Sequence, residues 1–466
     1  MAHTTKRQLK IGLAAYGTGW DLDAWRLPDA TNSGLLDPSV ITDVALAAER
    51  GKLDYIFAGS SLASEPLVLS RIFRWDSAVF GGFAAAKTEH VGFLMTYNSS
   101  FEHPFFVARQ LATLDRFSHG RAAINTVSGI DREGGPTENI KVLNPPSEES
   151  KYRRAAEFTE VLYRLLYESW DDDLLLDDKE AGALTRPGSW HEINAKGEFF
   201  EVRGPLNVPP PIQKHIPNVH VGESEESMIY GARWAQARFS PYYGIQEGKV
   251  RYAEQKRRVA EAGGDPEKFL ILPGVTPYVA ATRKEARAKY RQVLAFQQVV
   301  ELPAAFAAAF NLDAENIRPV DRVVDVLGSA GLDPEIVQRA LIAEADAGPA
   351  AFGQQLGGRV RDYSVIARDV IDIVSDDEQV TFGDLFRVVQ RHRHGQDKFV
   401  GDTNDFADWF EENLEESVFD GAQVFPPYHR GPADFFVDHV VPELQRRGIF
   451  RKEYESSRLE ENLGTI

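Results

Sequence analysis

Hydrophobic positions along the chain fall into short, nearly continuous runs separated by amphipathic stretches. LKIGLAAY (Leu9–Tyr16), DYIFA (Asp54–Ala58), VGFLMT (Val91–Thr96), AAINTV (Ala122–Val127), NVHVG (Asn218–Gly222), ARFS around Arg238, FLILPGVTPYVA (Phe269–Ala280) and FDGAQVF (Phe419–Phe425) each have the length of a strand buried on both faces. Helical spacing fills the intervals at Pro38–Gly51, Asp76–Ala86, Pro104–Gly120, Lys151–Trp170, Asp402–Glu415 and Phe435–Arg447. In the third of these, Pro104 suits a first helical position and Val107, Leu111 and Leu114 lay one apolar stripe behind it. Strands alternating with helices, joined by right-handed crossovers, make a parallel sheet. Eight strands over this length predict an α/β fold, a (β/α)8 TIM barrel with insertions, with an open doubly wound sheet as the alternative.

Two stretches break the rhythm, so the expectation is a single barrel domain over 1–466 with insertions at about 171–211 and 297–396. The first is charged, then rich in Gly and Pro, and its HEINAKGEFFEVRG segment predicts a hairpin turned at Lys196-Gly197. From Thr282 to about Gln396 no strand is convincing and Ala-rich segments predict several helices, which would serve as a lid or an oligomer surface.

Ligands of parallel sheets collect at the carboxyl ends of the strands. His90–Gly129 reads as strand, polar loop, helix and strand, with Tyr97-Asn98-Ser99-Ser100 and Ser128-Gly129 at the two strand ends. Such loops are either a site or ordinary solvated turns. Asn98, Ser99, Asn125, Ser128 and Ser224 offer hydroxyl and amide groups there, which suit a neutral hydrogen-bonding polycyclic ligand better than charged acid/base chemistry. Ser224 opens a helix, where it is either a plain N-cap or part of a phosphate site, and Glu223 and Glu225 beside it weigh against an anion. Trp20, Trp25, Phe101, Phe105, Tyr242 and Tyr243 belong either to an apolar pocket or to the core.

Composition narrows the chemistry. The 466 residues are 43% hydrophobic and 26% charged, as in an ordinary globular protein, and the net charge of −18 would repel nucleic acid and anionic membranes. With no Cys there are no disulfides, thiolate metal sites or cysteine nucleophiles. MAHTTKRQLK lacks the apolar core of a signal peptide and no apolar run reaches membrane-span length, so a cytoplasmic enzyme is the expectation. A P-loop, a G-x-S-x-G elbow, the dinucleotide fingerprint and H-E-x-x-H are all missing. The pair His392 and His394 is flanked by Arg391 and Arg393, which disfavours a cation, so no metal is expected.

TYNSSFEHPFFVARQLATLDRFSHGRAAINTVS (Thr96–Ser128), KYRRAAEF (Lys151–Phe158), FFEVRGPLN (Phe199–Asn207), VHVGESEES (Val219–Ser227) and the tail VVPELQRRGIFRKEYESSRLEENLG (Val440–Gly464) together resemble the bacterial-luciferase-like FMN-dependent monooxygenases. The resemblance is to the branch that holds the nitrilotriacetate, EDTA, dibenzothiophene-sulfone and long-chain alkane monooxygenases, and it runs in order through nearly the whole chain. It implies a TIM barrel binding FMN, as FMNH2, at its strand ends. A separate NAD(P)H:flavin reductase would supply the FMNH2. Oxygen would add to the flavin as a peroxide, and the substrate would be a small organic molecule, possibly N- or S-containing, as in xenobiotic degradation. A homo-oligomer, dimer or tetramer, is implied. Ser99 and Asn125 would face the flavin ring or ribityl chain, and Tyr152 and Ser224 would hold the phosphate. Ser128 stands where the family usually has Thr; Gly59 and Glu225 complete the cofactor set. His103 and His429 would lie near the reacting centre, although His103 serves equally well as a helix cap.

Three departures matter. Gly59 stands where the family has Asp, GGPTENI (134–140) replaces Asn-Phe-Gly, and Glu148 replaces His four residues before Tyr152. Either FMN binding is weakened or the site is reshaped for an unusual substrate. A luciferase-like oxidoreductase using a deazaflavin and a non-catalytic flavin-binding protein are the rival readings.

Overall fold

A computed structural model describes residues 7–62, 74–129, 146–296, 317–322, 325, 326, 329, 381, 383 and 397–465. Eight strands lie side by side and close on themselves: β1 (Lys10–Ala14), β2 (Tyr55–Ala58), β3 (Gly92–Asn98), β4 (Ala122–Val127), β5 (Asn218–Val221), β6 (Ala237–Ser240), β7 (Leu270–Ala280) and β8 (Gly421–Val424). Every pairing is parallel, from Gly12↔Tyr55 between β1 and β2 round to Lys10↔Gly421, where β8 meets β1. The strands form a closed TIM barrel rather than an open sheet.

The continuous apolar runs follow from two-sided burial. Ala14, Phe57, Leu94, Ala123, Val219, Phe239 and Leu272 fill the barrel, while Ile11, Ile56, Phe93, Met95 and Ile124 face the surrounding helices. Those helices are α1 (Ser39–Arg50), α2 (Ser77–Ala85), α3 (Pro104–Phe117), α4 (Lys151–Tyr167), α5 (Glu225–Trp234), α6 (Gly244–Glu261), α7 (Arg283–Leu294) and α8 (Thr403–Glu415). The amino-terminal end of the barrel is plugged by a short helix, Leu459–Leu463, whose two leucines join the interior cluster. The expected helix Phe435–Arg447 is therefore not the last. It is also interrupted, as Pro432–Phe435, a π-helical turn Phe436–Val440, and Val441–Arg447.

Residues between α4 and β5 form two small antiparallel pairs, Leu175–Asp178 with Ala183–Thr185 and Ala195–Lys196 with Glu201–Val202. Sequence pattern misses one strand, Asp397–Asp402, which pairs with the upper half of β7 from Val275 to Ala280 and leads into α8. Most of the segment 297–396, including His392 and His394, and GGPTENI (134–140) lie outside the described residues. Among the described residues no helix is long and apolar enough to cross a membrane.

Candidate active site

At the carboxyl end of β5 the chain turns through Gly222 at φ +141, a conformation an L side chain rarely adopts, and enters α5. Ser224 is the N-cap, its hydroxyl accepting from the Ser227 amide at 3.2 Å. The Glu225 and Glu226 N–H groups, which precede Ser227 in the first turn of α5, complete an anion-accepting end. An ideal Cβ at Gly222 would fall 2.4 Å from the Ser227 hydroxyl, and the Tyr152 hydroxyl stands beside the same spot at 3.4 Å. Two buried groups hold this turn from beneath. Arg238, 2% exposed, donates to the Gly222 carbonyl and, at 2.9 Å, to Glu223. His220 reaches the Thr126 carbonyl through Nδ1 at 2.8 Å and the Ser227 hydroxyl through Nε2 at 2.9 Å. A carbonyl can only accept, so Nδ1 carries the proton and Nε2 accepts from Ser227. Burial, with Arg238 nearby, lowers the His220 pKa to about 4, so the ring is neutral. Glu225 is turned outward to Arg258 at 2.7 and 3.0 Å, and Lys151 pairs with Glu148, so each of these two carboxylates is matched by a cation.

Inside the mouth, Asn125 on β4 donates through Nδ2 to Thr96 Oγ1 of β3 at 3.1 Å. Its Oδ1 is buried and has no hydrogen-bond partner among the described residues. An amide oxygen left so in a native interior signals a missing partner. Ser99 is fully buried, donating its hydroxyl to the Val127 carbonyl at 3.1 Å, and its own carbonyl accepts from Arg154 Nε at 3.0 Å. The Ser128 carbonyl accepts from Ser100 at 3.3 Å.

Across the mouth, at the ends of β1, β2, β6 and β8, lies an aromatic basin. The Tyr16 ring is 5.1 Å from Trp20 and 6.4 Å from both Phe57 and Phe425; Trp20 meets Phe425 at 4.5 Å and Phe57 meets Phe239 at 5.2 Å. Gly59 makes room for it, since a Cβ there would fall 1.9 Å from the Tyr16 hydroxyl. His429 is buried and donates from Nε2 to the Tyr16 carbonyl, and burial lowers its pKa.

The structure thus brings Ser99, Asn125, Ser128, Tyr152 and Ser224 to one side of the mouth and Gly59 and His429 to the other. His103 sits on the rim, exposed, as the N-cap of α3: its Nδ1 accepts from the Phe105 amide at 3.2 Å and its ring packs edge-on to Phe106 and Phe200. Of the six aromatics singled out from sequence, Trp20 belongs to the basin; Tyr242 packs on Trp409 and Tyr243 bonds Glu223, outside the barrel wall. Sequence reasoning missed Tyr16, Phe57, Phe239, Phe425, His220 and Arg238. Each lies in or beside a strand that reads simply as core.

The luciferase-like monooxygenase family model matches residues 22–358. The N-acetyl-S-(2-succino)cysteine monooxygenase of Bacillus subtilis (strain 168) is 32% identical over 98% of this chain and 97% of its own. Nitrilotriacetate monooxygenase component A of Aminobacter aminovorans is 32% identical over 98% and 96%. Among solved structures, the EDTA monooxygenase from Chelativorans sp. BNC1 superposes with a TM-score of 0.75 at 23% identity, over 99% of each chain, a likeness of fold.

Proposed function

The chain belongs to the luciferase-like monooxygenase family, and from that premise we propose a two-component enzyme that uses O2 and reduced FMN to oxygenate or cleave a small organic substrate. A separate NAD(P)H:flavin reductase supplies the FMNH2. One observation carries this reading: the barrel mouth is divided between an anion-accepting helix end beside Tyr152 and an aromatic basin, with the unpartnered Asn125 oxygen inside the mouth. FMN has the same polarity, a phosphate at one end, a ring at the other and a hydroxylated chain between. The residues present fit it.

Ser224, the free N–H groups of the first turn of α5 and Tyr152 hold the phosphate, where dipole and donors favour negative charge. Asn125 Oδ1 would accept a hydrogen bond from the flavin, and Ser99 and Ser128 would line the same wall. The basin excludes water from the reacting face. His429 holds its proton at Nε2 against the Tyr16 carbonyl and fixes the loop that carries the basin. Bound reduced FMN supplies the oxygen chemistry, which no side chain needs to provide.

Oxygen uptake tests the reading. With FMNH2 delivered by an added reductase, a panel of nitrogen- and sulfur-containing organics is expected to include compounds that raise O2 consumption and appear as oxygenated products. FMNH2 binding without substrate-coupled uptake across the panel would contradict it.

A further inference from the structure

We propose that the substrate carries a carboxylate and that this group seats on Arg74, at the edge of the aromatic basin. The proposal rests on the flavin-monooxygenase reading for what lies beside the basin.

Arg74 belongs to the connection between β2 and α2, at the carboxyl end of the barrel. It is half-buried, and its Cζ lies 5.1 Å from the centroid of the Tyr16 ring. Guanidinium on an aromatic face is held by the ring quadrupole and keeps its N–H edge free for a planar anion. Among the described residues no carboxylate pairs with it, in a chain whose acids outnumber its bases by 18. The adjacent acid, Asp76, caps α2, its Oδ1 accepting from Ala78 and Val79, and forms no ion pair with Arg74. A partly desolvated cation without a counter-charge is costly, and a ligand anion removes that cost.

The flavin phosphate is the wrong anion for this position. Its cradle follows β5, the fifth strand of the circuit, and Tyr16 follows β1, so the two lie on opposite sides of an eight-stranded barrel. Arg154, another half-buried arginine at the mouth, is engaged differently. Its Nε donates to the Ser99 carbonyl and its guanidinium lies 4.3 Å from the Phe200 ring. Among the described residues Arg74 is the arginine beside the basin, and the Tyr16, Trp20 and Phe425 rings next to it suit the uncharged part of the same molecule.

Calorimetric titration of the full-length, FMN-loaded protein with nitrilotriacetate and with its trimethyl ester, in metal-free buffer, tests the assignment. The acid is expected to bind at least about tenfold more tightly than the ester, and Arg74→Gln to lose about tenfold or more of the acid's affinity, the worth of one charge-assisted pair. Arg74→Lys should recover part of it, and FMN affinity should stay unchanged in both variants. No binding of nitrilotriacetate, equal binding of acid and ester, or undiminished affinity in Arg74→Gln would overturn the proposal. If FMN fails to bind while Arg74-dependent binding of the acid persists, the flavin reading falls and the anion site stands.

Discussion

The Tyr16 hydroxyl lies over the Cα of Gly59, so close that any side chain at 59 would occupy the same space: an ideal Cβ falls 1.9 Å from the oxygen and 2.8 Å from ring Cζ. The loops after β1 and β2 are therefore interlocked by a phenol on one and the absence of a side chain on the other. Where relatives were expected to carry Asp, this chain carries a tyrosine ring reaching over from the neighbouring strand, and with it an apolar wall.

Gly59→Ala is accordingly expected to cost about 1–3 kcal/mol, as overpacking does. In a Tyr16→Ala background the same substitution should cost almost nothing, because the clashing partner is gone. Urea unfolding of the two single variants and the double variant reads this coupling. Additive losses would show that the two residues do not interact.

Stability should depend on pH through His220. Its folded pKa of about 4 lies below the ordinary value near 6.5, so between these the unfolded chain binds a proton that the native state refuses. The contribution is complete above about pH 6.5 and shrinks as pH falls toward 4, by roughly 3 kcal/mol in all. Urea midpoints at pH 7 and pH 4.5 should therefore differ more in the wild type than in His220→Gln. Equal pH dependence in both would remove His220 as the cause.

At the opposite end of the barrel, Asp54 and Arg451 form an ion pair at 2.5 Å with both side chains buried, and Asp54 also accepts from the Ile11 amide at 2.6 Å. Asp54→Asn leaves a buried guanidinium without its counter-charge and is expected to cost about 3–5 kcal/mol. Because the pair sits below the barrel floor, FMN affinity of the folded fraction should be unchanged. A variant of native stability, or one with selectively weakened FMN binding, would contradict that division of labour.

The barrel strands are legible in the sequence because both of their faces are buried and their residues are almost all apolar. Asp397–Asp402 escapes the same reading: DKFVGD has two large apolar residues in six and pairs only with the upper half of β7, from Val275 to Ala280. Ser99 and Ser224 follow from pattern, since one closes β3 and the other caps α5, and Asn125 stands out as the amide inside the apolar run of β4. Arg74, the Tyr16–Gly59 contact and the Arg238–Gly222 bond do not, since each depends on segments from different strands meeting in space. His220 is hidden for another reason. It sits in NVHV, which reads as core, and its role appears only when α5 folds back to bring Ser227 to its ring.

Anaerobic titration of FMNH2 into the wild type and Ser224→Glu, with reduced riboflavin as the ligand that lacks a phosphate, reads the phosphate cradle itself. The wild type is expected to bind FMNH2 stoichiometrically. In Ser224→Glu that affinity should fall by about a hundredfold or more, because a new carboxylate would face the phosphate at the helix end, while riboflavin binding changes little. Equal FMNH2 affinity in the two proteins would contradict the phosphate assignment, and no FMNH2 binding by the wild type would contradict the function itself.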